Sequence, residues 1–298
     1  MSSILTNASA MTALESLSQT QKNLNKYETQ VSTGLRIATA ADNASYWSIA
    51  TKMSSSIGAL GSVSDALSES SAMITTMNSA LTGSISVLNA IKNDLVAAQE
   101  PGADLTKIGT DIAAQQKQLF SIGSSANFNG QNWLATSGGN VNLVSSYDPT
   151  AGVSSITINT SNTQLFETGL TSATIGTAAQ GILGTAGAAS GASILGFTVS
   201  SSTTTTQLAN YLSDMETAIT AATTAASTLG ATQTSVGTQA TYISNLSDSL
   251  ANGVSSLVDA NMNEVSTKLS ALQVQQQLGI QALSIANSNT QTILKLFQ

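Results

Sequence analysis

The side chains able to do chemistry in this sequence are few in kind. It holds 16 carboxylates, 9 lysines and arginines and many hydroxyls, but no histidine and no cysteine among 298 residues. The commonest general base, the soft metal ligands and the thiol nucleophile are therefore missing, and neither a disulfide nor a zinc site can form. What remains is carboxylate or hydroxyl chemistry. The acids are scattered along the chain, with no calcium-loop spacing, no acid and base pair and no nucleophile elbow. An enzyme has no constellation here to work with, and no catalytic residue, cofactor or metal is expected. The basic residues do not cluster in sequence and the net charge is −7, so a nucleic-acid backbone has no electrostatic footprint to use.

Composition points instead to packing. Only 8% of residues are charged, against roughly 25% in an average globular protein. A surface this weakly hydrated suits a subunit that packs against copies of itself. The start, Met1-Ser2-Ser3-Ile4-Leu5, lacks the basic and apolar pattern of a Sec-type leader, and no run of eighteen apolar residues forms a membrane anchor. An extracellular destination would need another route.

The elements that must position any interface are long helices. Steps of seven run through Leu60, Leu67, Ile74, Leu81, Leu88 and Leu95, with companions Val63, Ser70, Met77, Ser84 and Ile91. The stripe stops at Glu100-Pro101-Gly102, where proline lacks an amide donor. Leu105, Ile108, Ile112, Leu119 and Ile122 then predict an antiparallel return helix. In the second half, steps of four and three run from Leu208, Leu212, Met215 and Ile219 through Ala222, Ala226, Leu229, Gln233, Val236 and Ala240 to Ile243 and Leu250. A helix that long with one narrow seam needs partner helices beside it.

Both chain ends carry seams as well. Ala10, Leu14, Leu17, Leu24, Val31 and Leu35 form one, interrupted by Gln21 and Glu28. Val258, Met262, Val265, Leu269 and Leu272 form the other, which resumes at Leu283, Ala286, Ile293 and Phe297. The expected fold is mainly α: a long antiparallel helical hairpin or coiled-coil bundle of the N- and C-terminal halves. Periodicity leaves open whether each seam is the core of a monomeric bundle or a surface for other chains. Between them, Val141–Val144 and Ser155–Asn159 alternate around Asp148-Pro149-Thr150-Ala151-Gly152, which predicts a small central β-hairpin. Ala178–Ser193 holds too little side-chain volume for a deep core and is a candidate exposed insertion. Tyr27, Trp47 and Trp133 read as core aromatics rather than a ligand patch, and Asn159-Thr160-Ser161 as a chance sequon.

Three segments resemble one family in its order. Gln30-Val31-Ser32-Thr33-Gly34-Leu35-Arg36-Ile37 with Ala38-Thr39-Ala40-Ala41-Asp42-Asn43-Ala44 is similar to the N-terminal signature of bacterial flagellins. Asn127-Phe128-Asn129-Gly130-Gln131 resembles the element that closes their N-terminal half, and Asp259–Leu269, Gln273–Gln277 and Ala282–Asn287 resemble their C-terminal pattern. Ala38, Asn43 and Tyr46-Trp47 depart from it. A hook–filament junction protein has similar terminal helices, and a chemoreceptor-type signalling domain has similar heptad hairpins. The Asn-Phe-Asn-Gly element and the full acidic C-terminal signature argue for flagellin over the first, and the sequence lacks the membrane span of the second.

The resemblance implies a structural subunit that self-assembles into the flagellar filament for motility, alone or mixed with other flagellins, and is secreted unfolded by type III export. An export chaperone, a filament cap and hook-junction proteins would be its partners. Residues 1–44 and 255–298 would form an inner coiled-coil domain, 45–134 and 206–254 an outer helical bundle, and 135–205 the hairpin and a small exposed insertion. Leu14, Leu17, Leu24, Val31, Leu35, Arg36, Asp42, Val265, Leu269, Leu272, Leu283, Ile293 and Phe297 would make assembly contacts. Ile91, Lys92, Asp94, Leu95 and Gln99 fall where many flagellins present a helix to an innate immune receptor, but most of its basic face is replaced, which implies weak signalling.

Overall fold

The computed structural model describes residues 7–171 and 174–296. Five long helices dominate it: α1 (Ala8–Thr33), α2 (Ala44–Ala97), α3 (Leu105–Ser125), α5 (Thr205–Val258) and α6 (Met262–Leu296). A hairpin of β1 (Asn140–Asp148) and β2 (Gly152–Asn159) and a short helix α4 (Gly181–Gly184) lie between α3 and α5. Many helix positions are Ser or Thr, residues that usually compete with the helix. Here their hydroxyls bond the carbonyl one turn back, as in Thr217 to Ser213 and Thr228 to Thr224, so the competition is resolved within the helix.

The chain divides into two compact units, one of residues 1–57 with 248–298 and one of residues 58–247. In the second, α3 and α5 each pack antiparallel to α2. Gln115 on α3 donates to Asp94 on α2 at 2.7 Å, while Lys92 and Gln233 tie α2 to α5 through Glu216 and Thr75 at 3.0 and 2.9 Å. Every heptad position of α2 from Leu60 to Leu95 is buried, companions included. On α5 the sevenfold series Leu208, Met215, Ala222, Leu229, Val236 and Ile243 is buried too. Its companion row differs from the expected one: Ala218 and Ala225 are fully buried, whereas Ile219 and Ala226 are half-buried. Small alanines at that row let the neighbouring helices approach more closely than isoleucine would.

The hairpin forms where expected, antiparallel, with a bulge between Val144 and Ser146 and its turn held by Asp148 Oδ1, which accepts from Thr150 and Ala151. Residues 178–193 are not simply an exposed insertion. Leu183 is fully buried, and Leu183 and Ile182 donate backbone bonds to Leu165 and Gln164. Gly187 lies so close to Asp214 that a Cβ would sit 2.1 Å from the carboxylate carbon. The small residues serve close approach. Asp214, buried on α5, accepts from the amides of Ala189 and Ser190 at 3.0 and 2.8 Å. Burial pushes its carboxyl up, but the Ser190 side chain and these amides outweigh that and hold it below the usual range.

Candidate self-assembly surface

In the terminal unit α1 and α6 pack side by side and antiparallel. Asn7 caps α1 by accepting from Ala10 at 3.0 Å and donates to Ala286 at 3.0 Å, while Gln276 donates to Gln21. A Cβ on Gly279 would meet Leu17 Cδ1 at 3.3 Å, so that glycine is a site of close packing. Gly34 ends α1 in the left-handed region, φ 74°, which turns the chain into Leu35. Leu35 forms a bridge with Asp259 and packs on the cluster of Ile37, Ala50 and Val258.

The inward faces only partly follow the expected seams. On α6, Val265, Leu269, Leu272 and Leu283 lie on the expected inward stripe, together with Gln276 and Gly279. Met262 does not: α5 ends at Val258, α6 begins anew at Met262, and this side chain is 41% exposed. On α1 the inward residues are Leu17, Thr20, Leu24, Tyr27 and Gln30, whereas Leu14 is 57% exposed and Val31 is exposed as well. Phe297 lies outside the described residues, as does the side chain of Ile293. Tyr27 is half-buried and Trp133 buried, but Trp47 is exposed.

The polar residues of the signature fasten the link after α1. Arg36 donates from its backbone to Val258 at 2.6 Å and from Nη2 to Leu257 at 2.8 Å. Asp42 does not pair with Arg36. Its Oδ2 accepts from Thr39 and Ala38, and these bonds, those of Thr39 first, hold its carboxyl below the usual range. At the start of α6, Glu264 pairs with Lys268 at 2.6 Å, and Lys268 lies 5.7 Å from the Tyr27 ring centre. That pairing lowers the Glu264 carboxyl and raises the Lys268 ammonium. In the other unit, Ile91 and Leu95 face the core, Lys92 pairs with Glu216, Asp94 accepts from Gln115, and Gln99 is exposed.

A further row on α6 escaped the heptad reading. Val274, Leu278 and Ile285 are 57%, 58% and 63% exposed. At about 100° per residue they fall within a sector of roughly 40° on the side away from Val265, Leu272 and Leu283. Their spacing of four and then seven was the available signal. The helix is thus apolar on two opposite faces, one covered by α1 and one open.

Long helices with an open apolar row define a structural subunit made to lie beside other helices; among the described residues no group of acids could hold a metal, and no helix is long and apolar enough to cross a membrane. Residues 4–138 match the family model described as the bacterial flagellin N-terminal helical region, and residues 212–297 match that of the C-terminal helical region. Flagellin C of Rhizobium meliloti strain 1021 is 41% identical over 321 aligned residues, and a flagellin of Brucella melitensis biotype 1 is 40% identical over 302, each alignment covering both chains completely. Flagellin A of Rhizobium meliloti is 34% identical over 395, again covering both. The chain belongs to the bacterial flagellin family. It is a structural subunit of the extracellular flagellar filament and not an enzyme.

Proposed function

We propose that α1 and α6 carry the inner contacts of the filament, and that the open row on α6 is covered there by helices of neighbouring copies. The observation that carries this is the two-faced apolar pattern of α6. A helix apolar on opposite sides is stable in water only when both sides are covered. Within the chain, Leu17, Leu24, Val265, Leu269, Leu272 and Leu283 join α1 to α6; Leu14 and Val31 join the open surface and meet other copies. Leu35, Arg36 and Asp42 fix the link between α1 and α2 and so set the direction in which that surface is presented. Ile293 and Phe297 extend the inner contacts toward the chain end. Residues 1–44 with 255–298 form the inner domain, 45–134 with 206–254 the outer bundle, and 135–205 the solvent-facing part.

The subunit leaves the cell by type III export with a chaperone, adds beneath a cap, joins the hook through junction proteins and mixes with other flagellins. What supports this is the family membership alone. The assembly reading is tested with the cysteine-free chain itself. A solvatochromic dye on Ile285→Cys shifts to the blue when filaments form, while the same dye on exposed Thr157→Cys does not. Unchanged emission at position 285 in filaments refutes the proposed covering.

A further inference from the structure

Charge is divided unevenly along this molecule. Of the 9 cations and 16 acids, six of each fall in residues 1–57 and 248–298; the remaining three cations and ten acids give residues 58–247 the whole net charge of −7. Within the terminal unit, three of the nine cations line one cavity of about 200 Å³ between the end of α1 and the start of α6: Lys26, Arg36 and Lys268, with Tyr27, Asn261 and Glu264. For a chain in which only 8% of residues are charged, that is a local concentration of positive charge.

Glu264 is the one acid among the residues that line the cavity, so three cations meet a single carboxylate there. Glu264 is engaged by Lys268 at 2.6 Å. Asp42 feels the charge of Lys26, but its Oδ2 is already taken by three donors from Ala38 and Thr39. Arg36 uses one guanidinium N–H on the Leu257 carbonyl. Among the described residues Lys26 has no carboxylate within ion-pair distance.

We propose that this cavity is an intersubunit anion site, which receives a carboxylate from the acidic 58–247 unit of a neighbouring copy. The inference rests on filament assembly and adds to it a specific electrostatic contact. The complementarity is between a neutral unit with a cationic cavity and a unit with an excess of seven acids. Such a contact sets the register between copies, which an apolar seam alone specifies poorly, because apolar rows slide with little penalty.

Lys26→Glu tests it, since this exposed side chain has no ion-pair partner among the described residues and its replacement leaves the fold intact. Elongation of wild-type filament seeds is followed with wild-type, Lys26→Glu and Lys26→Arg subunits. In about 20 mM NaCl the Glu variant is expected to need about tenfold more subunit to elongate, and in about 300 mM NaCl the gap closes to about twofold. The Arg variant behaves as wild type, and the circular dichroism of all three free subunits is the same. Wild-type elongation by Lys26→Glu at low salt overturns the proposal, as does a defect that salt leaves unchanged. Failure of wild-type subunits to elongate seeds at any salt overturns the assembly reading beneath it, and so is told apart from failure of the anion site.

Discussion

Leu278→Ala separates an interface within the chain from one between chains. Leu278 is 58% exposed in the subunit, whereas Leu269, about two and a half turns earlier on the same helix, lies half-buried on the side that faces α1. Full burial of a leucine is worth roughly 1.5–3 kcal/mol, so covering the exposed part of Leu278 in a filament recovers roughly 1–2 kcal/mol, most of which alanine forfeits. The free subunit should hardly respond, because a substitution at an open site stays within about 0.5 kcal/mol. The critical concentration for elongation should rise roughly 5- to 30-fold. Leu269→Ala makes the contrast, because it loses packing on α1 in the subunit as well and lowers the melting temperature of the free chain. Light scattering at a series of subunit concentrations gives the first quantity and a thermal melt the second. A critical concentration for Leu278→Ala within twofold of wild type, or a melting loss equal to that of Leu269→Ala, refutes the reasoning.

Four further outcomes follow from the unit of residues 58–247 and its surface. Gly230 on α5 has nothing within 4 Å of a would-be Cβ, so Gly230→Ala should stabilise by about 0.5–1 kcal/mol, whereas a Cβ on Gly109 of α3 would lie 2.0 Å from the Val199 carbonyl oxygen, so Gly109→Ala should lower stability by about 1–3 kcal/mol despite the same helix propensity gain; denaturant titrations read both signs. Ser84 Oγ is buried without a hydrogen-bond partner, so Ser84→Ala should raise stability by about 1 kcal/mol, and a loss in the same titration counts against the orphaned hydroxyl. The folded carboxyl of Asp214 lies below its unfolded value, so its stabilisation is present above the ordinary carboxylate range and disappears as pH falls through the folded value; Asp214→Asn should be less stable at neutral pH and show a shallower loss on acidification, and parallel pH profiles would contradict this. Free subunits should stimulate the flagellin-sensing innate receptor weakly in a reporter cell line, since Ile91 and Leu95 are buried and Lys92 is engaged by Glu216; potent stimulation refutes it.

What could be read from the residues depended on how many faces of a helix are covered. On α2 one apolar stripe exists and one is needed, so each position from Leu60 to Leu95 is buried as its spacing says. On α5 the sevenfold positions were legible, but the companion row was not, because Ala218 and Ile219 both fit a heptad and only the proximity of the neighbouring helices selects the smaller. On α1 the rule of choosing the largest aliphatic side chains picked out Leu14 and Val31, while the structure turns Thr20 and Gln30 inward. A helix destined for several partners carries apolar side chains in several directions, and the spacing alone does not say which partner is met first. The same ambiguity hid Val274, Leu278 and Ile285, which break the heptad of their own helix because they lie on the face turned away from its inward stripe. Between Thr160 and Val199 periodicity carried no information, since that segment is held by distant backbone pairs such as Leu165 to Leu134 and Leu183 to Leu165. The large apolar side chains that α1 and α6 leave uncovered within the chain are thus the ones that the proposed assembly surface would cover, and they are the positions where single-chain spacing was a poor guide.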